Sequence, residues 1–258
     1  MVVTLPFRPD VLQGRHALVC GGSAGIGAAI ATTLASCGAT VTSIARTEHS
    51  LDHLDGDGHQ ALVSDLEDLE ALDDMLDRIH HPIHILINNT GGPPSGPLLE
   101  ADLATFEPAL ARLLHAPHHL TRALVPGMEA EGFGRIVNIV STSVREPIAN
   151  IGVSNTVRGA VANWAKTLAT ELAPCITINN ILPGFTDTRR LVGLAQQRFE
   201  RHGTPIDTTY QGWIDQTPIR RLIDPMETAA AVVYLCLPIA GAIRGVSLAV
   251  DGGRSRSV

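Results

Sequence analysis

The sequence predicts an α/β fold built on a doubly wound parallel sheet, and three observations lead to that prediction. Short apolar runs rich in β-branched residues alternate with amphipathic runs, which is the pattern of a parallel sheet covered by helices. A glycine-rich turn joins the first apolar run to the first helical run. No linker or repeat divides the 258 residues, of which 45% are hydrophobic, so we expect one Rossmann-like domain spanning residues 1–258.

Seven short runs are predicted to be buried strands because their residues are apolar on both faces. They span residues 16–20, 40–45, 61–64, 83–88, 135–140, 176–182 and 246–250. Helices are predicted between them, near residues 25–37, 67–79, 102–128, 153–173 and 225–237. Gly38 follows the first helix, where a glycine commonly ends a helix, and Pro117 is expected to kink or break the third.

One segment interrupts this alternation before the last strand. Residues 186–218 form a long polar insert with a mostly helical pattern, interrupted by Gly203 and Pro205. The insert follows the sixth strand, at the sheet edge where ligands bind in such folds, so we interpret it as a substrate lid. The alternative is a surface ornament without a role in binding.

Composition excludes two classes of function. The net charge of −7 comes without a basic stripe, which argues against a nucleic-acid partner. The longest uncharged apolar run, residues 228–243, is too short for a comfortable membrane span and contains Pro238. Four cysteines without a CxxC pair and a start without a signal-peptide pattern lead us to expect a cytoplasmic protein.

The turn "CGGSAGIGAAI" at residues 20–30 is the first candidate binding site. Gly21, Gly25 and Gly27 let the backbone turn tightly and approach a pyrophosphate, which would sit on the positive end of the following helix. A tight turn without a ligand is the alternative. The strand before the turn and the helix after it favour a dinucleotide site.

The residues after the second and third predicted strands indicate which dinucleotide is bound. An acidic residue usually binds the ribose 2′-hydroxyl, but here the second strand ends in Arg46. Arginine suits a 2′-phosphate, so NADP is the expected cofactor and NAD the alternative. Asp65 follows the third strand and is placed to accept from the adenine amino group; a solvated loop aspartate is its alternative.

Several motifs in the right order resemble the short-chain dehydrogenase/reductase family over the whole chain. They are "GGSAGIG" (21–27), "NNTG" (88–91), "GRIVNIVS" (134–141), "LPGFTDT" (182–188) and "VDGG" (250–253). The chain looks most like a divergent branch often labelled 3-oxoacyl reductase-like.

The resemblance implies a fold, a reaction class and a set of binding residues. It implies oxidation or reduction of a small carbonyl or alcohol substrate, and a homodimer or homotetramer built on helices 102–128 and 153–173. Together with the glycine loop, it places the cofactor at Gly21, Ser23, Gly25, Ile26, Gly27, Arg46, Asp65, Leu66, Asn89, Gly91, Arg158, Pro183, Gly184 and Thr186.

The catalytic residues depart from the family pattern, which uses Asn, Ser, Tyr and Lys, the last two spaced YxxxK. Ser141 occupies the serine position, Ser154 the tyrosine position, Arg158 the lysine position and Leu113 the asparagine position. Serine is a far weaker acid than an activated phenol, and arginine does not shuttle protons. We therefore expect Ser141 to orient the reacting oxygen, Ser154 to line the pocket, and Arg158 to bind ribose and polarise the substrate.

The source of the catalytic proton is left open between water, the substrate and the lid. In the lid, Tyr210 is the candidate displaced acid and His202 a weaker one, while Tyr234 is expected to lie in the core. The three histidines of the third helix have a spacing that can suit a metal but are predicted to point away from Leu113, and no metal is expected. They are His115, His118 and His119.

Two other functions remain open on the same fold. One is a nucleotide-binding protein without redox turnover. The other is a lyase or a dehalogenase-like enzyme. Family members of the dehalogenase-like kind keep the tyrosine and lose the glycine loop, and this chain does the reverse. An intact glycine loop therefore favours the oxidoreductase and the binding protein, and measured turnover separates those two.

Overall fold

Seven parallel strands form one sheet in this computed structural model, which describes residues 7–257. The strands are β1 (His16–Cys20), β2 (Thr40–Ala45), β3 (Gln60–Val63), β4 (Ile85–Asn88), β5 (Gly134–Ile139), β6 (Ile176–Pro183) and β7 (Ser247–Val250). Their order across the sheet is β3-β2-β1-β4-β5-β6-β7, and every neighbouring pair is parallel. The doubly wound parallel sheet predicted from the sequence is confirmed.

Helices cover both faces of the sheet. They are α1 (Gly25–Ser36), α2 (Leu69–Leu76), α3 (Leu103–Leu110), α4 (Ala116–Ala130), α5 (Gly152–Glu171), α6 (Arg189–His202), α7 (Ile206–Asp215) and α8 (Pro225–Cys236). One core cluster joins α1 and α8 to one face of the sheet, and a second joins α2, α4 and α5 to the other. Helices on both faces explain why the central strands are apolar throughout.

Local sequence signals place several helix ends. Asp68 accepts from the backbone N–H groups of the first turn of α2, and Asp102 does the same for α3. Asp224 and Glu227 form a reciprocal capping box at α8. Gly38 adopts a left-handed φ of 89° just beyond α1, as the sequence predicts.

The helix predicted over residues 102–128 is interrupted next to Pro117, where the sequence predicts a kink or break. A π-helical turn, Ala111–His115, separates α3 from α4. Pro117 has no N–H to donate to the carbonyl four residues earlier, so the regular ladder cannot continue through this turn. The break places Leu113 on the wider turn, facing the sheet, where it is 5% exposed.

The predicted insert is a pair of helices, α6 and α7. Gly203, with a left-handed φ of 66°, ends α6, and Pro205 precedes α7. Leu191, Ala195 and Trp213 form a small apolar cluster of their own. The insert thus has its own packing, separate from the main core.

Nothing in residues 7–257 has the length and apolarity of a transmembrane helix. The four cysteines are all free thiols, and three of them are buried.

Candidate active site

A large open cleft lies at the carboxyl ends of the strands. It is centred where the chain order reverses between β1 and β4, so that the connections leave in opposite directions. Ser141, Ser154 and Arg158 line it. So do all but one of the predicted cofactor positions: Gly21, Ser23, Gly25, Ile26, Arg46, Asp65, Leu66, Asn89, Gly91, Arg158, Pro183, Gly184 and Thr186. Gly27, the exception, is buried under the loop.

The glycine loop is too tightly packed to admit a side chain at its centre. A Cβ on Gly27 would lie 2.0 Å from the carbonyl oxygen of Gly21 and 2.6 Å from Nδ2 of Asn89. That Nδ2 donates to the carbonyl oxygens of Gly21 (3.1 Å) and Cys20 (3.2 Å). Gly27 therefore brings α1 against the loop, and Asn89 ties the loop to the end of β4.

The amino end of α1 faces the cleft as an open anion site. Ala24 stands at its N-cap with no side-chain acceptor, and its first turn carries no acidic residue. No side chain from residues 7–257 caps this end. The first-turn N–H groups and the helix dipole are therefore available to a phosphate.

Two side chains beside the glycine loop differ in whether their polar atoms already have partners in the protein. Arg46 follows β2 directly, is exposed, and forms no ion pair within residues 7–257. Asp65 follows β3 by one residue, and its Oδ1 accepts from the backbone N–H of Glu67 at 3.0 Å. The Arg46 guanidinium and the second carboxylate oxygen of Asp65 are thus free to meet a nucleotide.

Ser154 and Arg158 lie one turn apart on α5, and their side chains meet. Nε of Arg158 donates to Oγ of Ser154 at 3.2 Å. Nη1 donates to the carbonyl oxygens of Ile139 (3.1 Å) and Val140 (2.6 Å) at the end of β5. The Ser154 oxygen thus accepts from a cation and keeps its own hydroxyl hydrogen for another acceptor.

Ser141 begins the loop after β5. Its Oγ accepts from the backbone N–H of Ser143 at 3.0 Å, which caps the short turn Thr142–Val144. The bond fixes the oxygen and leaves the hydroxyl hydrogen able to donate toward the cleft.

Arg158 is a buried cation. It is 9% exposed, and no carboxylate in residues 7–257 pairs with it. Burial lowers the pKa of its guanidinium to about 10, and the neighbouring cations Arg190 and Arg112 act in the same direction. At neutral pH it remains charged, so it acts as a fixed hydrogen-bond donor.

A small cavity of about 20 Å³ lies behind Arg158, beside Leu113. Its volume is enough for about one water molecule. Two polar atoms on its lining residues, Oδ1 of Asn88 and Nε of Arg112, are buried without a partner in the described part of the chain. Together these features favour one ordered water in the cavity.

A ladder of side-chain amides, which was not predicted from the sequence, runs under the cleft. Nδ2 of Asn88 donates to Oδ1 of Asn138 at 2.8 Å, and Nδ2 of Asn138 donates to Oδ1 of Asn180 at 2.9 Å. Nδ2 of Asn180 then donates to Oγ of Ser247 at 3.1 Å. The sequence does contain a signal, since asparagine is unusual in buried parallel strands and occurs here in three of them.

The candidate displaced acids have different positions. Tyr210 does not line the cleft; its ring packs edge-on against Trp213 at 5.3 Å, and burial raises the pKa of its phenol. We therefore remove Tyr210 from the candidates, whereas His202 does line the cleft. Tyr234 is 43% exposed, so its predicted core position is wrong.

The two histidines of α4 have ordinary partners. Nδ1 of His118 accepts from Nε1 of Trp164 at 3.2 Å, and Nε2 of His119 lies 2.6 Å from Oδ1 of Asp73. Within residues 7–257 no group of three potential ligands has metal-binding geometry.

Comparisons with known proteins assign the chain to a family. A family model described as enoyl-(acyl carrier protein) reductase matches residues 21–255. A 3-oxoacyl-[acyl-carrier-protein] reductase of Haemophilus influenzae is 32% identical over 251 residues, which are 94% of this chain and 98% of that protein. A chloroplastic tropinone reductase homolog of Arabidopsis thaliana is 31% identical over 255 residues, 95% of this chain and 76% of the relative.

The fold comparison agrees. The crystal structure of L-sorbose reductase from Gluconobacter frateurii, complexed with NADPH and L-sorbose, matches with a TM-score of 0.90 and 29% identity. The match covers 96% of this chain and all of that one. The parallel sheet, the glycine loop and these matches agree, and the chain belongs to the short-chain dehydrogenase/reductase family of oxidoreductases.

Proposed function

We propose that the protein is an NADP-dependent oxidoreductase that interconverts a carbonyl and an alcohol without the phenol acid of its family. The observation that carries this proposal is the hydrogen bond from Arg158 to Ser154, which lies inside the cleft that the glycine loop lines. It keeps a polarised hydroxyl at the tyrosine position and a permanent cation at the lysine position.

Three features support NADP as the cofactor. The loop around Gly27 has no room for a Cβ, which fits close approach of a pyrophosphate to the backbone. Arg46 supplies an unpaired positive charge where a 2′-phosphate would lie. The structurally similar L-sorbose reductase is complexed with NADPH.

Bound NADPH would supply a hydride to the substrate carbonyl carbon. Ser141 and Ser154 each retain a hydroxyl hydrogen that can donate to the carbonyl oxygen. Arg158 strengthens the Ser154 donor because its Nε bonds to the same oxygen. Its Nη2 has no partner within residues 7–257 and points toward Gly92.

The proton that completes the alcohol needs a source other than serine or arginine. The open cleft supports water as that source, because Ser141 and Ser154 both line it and solvent enters it. The Ser154 hydroxyl would donate its proton to the product oxygen and regain one from a water in the open cleft, which bulk solvent reprotonates. Without a tuned acid, we expect simple ketones to react about 10²- to 10⁴-fold more slowly than in a complete site.

The proposal also covers the lid and the assembly. Residues 186–218 would close over the substrate, because residues of α6 line the cleft. We also propose that the protein is cytoplasmic and forms a homodimer or homotetramer. The predicted helices at residues 102–128 and 153–173 would build the interface.

NADPH oxidation over a panel of ketones and 3-oxo esters tests the function. The wild-type protein should bind NADPH and reduce simple ketones slowly. Ser141→Ala should lower the rate of NADPH oxidation further. The double variant Ser154→Tyr with Arg158→Lys restores the family pair and should raise the rate on simple ketones if the pocket admits the ring.

Two results would contradict the proposal. Tight NADPH binding with no oxidation of any substrate would favour a nucleotide-binding protein without turnover. Fast reduction of simple ketones that Ser141→Ala leaves unchanged would place the acid elsewhere in the protein.

A further inference from the structure

Two arginine side chains and one serine converge on the open face of Gly92. A Cβ built on Gly92 would lie 3.5 Å from Nη2 of Arg158, 3.5 Å from Nη2 of Arg190 and 3.9 Å from Oγ of Ser154. Three donors thus surround one point that the absent side chain leaves empty.

The buried member of this group lacks a counter-ion. Arg158 is only 9% exposed, and its hydrogen bonds go only to a serine hydroxyl and two backbone carbonyls. Its Nη2 has no acceptor in the described residues. A buried charge is costly unless it is paired, so a ligand with negative charge at this point would relieve the cost.

The second arginine, Arg190 on α6, is held in place by the loop that follows β4. Nη2 of Arg190 donates to the carbonyl oxygen of Pro93 at 3.1 Å. Further along α6, Oγ of Ser95 donates to Gln197 at 2.9 Å, and Nη1 of Arg201 donates to the carbonyl oxygen of Ser95 at 2.8 Å. These bonds join α6 to the loop at residues 93–95 and fix Arg190 beside Gly92.

The cleft as a whole is cationic in an acidic protein. Eight arginines line it against three carboxylates, although the chain carries a net charge of −7. Arg112 is neutralised by Glu67 at 2.8 Å, and Arg46 is assigned to the cofactor. No ion pair accounts for Arg158 or Arg190 within residues 7–257.

We propose that the substrate carries an anionic oxygen group, a carboxylate or a phosphate, which binds at Gly92 and accepts from Nη2 of Arg158 and Nη2 of Arg190. This inference rests on the proposed function and names its substrate class: oxo acids or phosphorylated carbonyl compounds, or the corresponding alcohols. Glycine at position 92 leaves this point open, because a Cβ there would take the place of the anion.

Binding of matched probes tests the proposal without turnover. Calorimetry would measure acetoacetate against methyl acetoacetate, and dihydroxyacetone phosphate against dihydroxyacetone, with and without NADP⁺. The anionic member of one pair should bind at least about tenfold more tightly, and the pair that discriminates identifies carboxylate or phosphate. Arg190→Gln should remove that preference, whereas the exposed control Arg78→Gln should leave it within about twofold.

A tethered carboxylate gives an independent test of the same point. Gly92→Asp would place an anion between the two guanidinium groups, so it should raise Tm by about 2 °C or more and abolish binding of the anionic probe. The isosteric neutral variant Gly92→Asn should give no such rise.

The outcomes separate this inference from the proposed function. Equal binding of the anionic and neutral members in both probe pairs, or equal Tm of the Asp and Asn variants at position 92, overturns the anion site even if NADPH-dependent reduction is observed. Anion binding that depends on Arg190 without any hydride transfer supports the anion site and refutes the oxidoreductase.

Discussion

The same substitution, glycine to alanine, should have opposite effects at two helical glycines. In Gly27→Ala the new methyl group would lie 2.0 Å from the Gly21 carbonyl oxygen, a backbone atom that cannot rotate away. Overpacking of this kind costs about 1–3 kcal/mol or more. For a domain of this size the loss corresponds to a fall in Tm of about 2–12 °C.

Gly159→Ala is the matched control. Gly159 lies inside α5, and apart from the local backbone of that helix no atom of residues 7–257 lies within 4 Å of the position that the new methyl group would take. Alanine is better than glycine in a helix interior by about 0.5–1 kcal/mol, so Tm should rise by about 1–4 °C. Gly212 in α7 has the same open surroundings and provides a second control.

Thermal unfolding followed by circular dichroism, and NADPH titration followed by fluorescence, measure both consequences. Gly27→Ala should also weaken NADPH binding, because the methyl group displaces the Gly21 carbonyl and the Asn89 amide that hold the loop. An unchanged Tm together with unchanged NADPH affinity in Gly27→Ala would falsify the close packing that assigns this loop to a pyrophosphate.

Three further predictions address the cofactor, the lid and acid stability. NADPH should bind more tightly than NADH, and Arg46→Ala should remove the preference; equal affinities in the wild type would refute it. Residues 186–218 should gain hydrogen-exchange protection when NADPH and substrate bind, whereas strong protection in both states would make them a fixed scaffold. Burial, reinforced by neighbouring cationic groups, lowers the pKa of His16 and His84 in the folded state. The unfolded chain therefore binds protons at these two histidines more tightly than the folded chain does. Stability should therefore fall as pH drops below about 6.5, and His84→Asn should flatten that fall in urea unfolding.

Features that depend on neighbours along the chain could be predicted from the sequence alone. Strand positions follow from apolar β-branched runs, and each predicted strand overlaps an observed one. Local sequence also predicts the glycine loop, the ends of helices at Gly38 and Gly203, and the arginine after β2. A turn or a cap requires particular residues at fixed spacing.

Contacts between distant side chains depend on the tertiary fold. Arg190 lies on α6 and Arg158 on α5, yet both face Gly92, and no local pattern relates them. The amide ladder through Asn88, Asn138 and Asn180 likewise depends on the register of three strands.

The choice of which helix face is buried also comes from the fold. Tyr234 sits in an apolar helix and is nevertheless exposed, because α8 packs on the sheet with its opposite side. Helical periodicity shows which residues share a face, but the packed neighbours determine whether that face meets protein or water. The positive charge of the cleft could not be predicted from the sequence either, because only the fold brings its arginines together at one edge of the sheet.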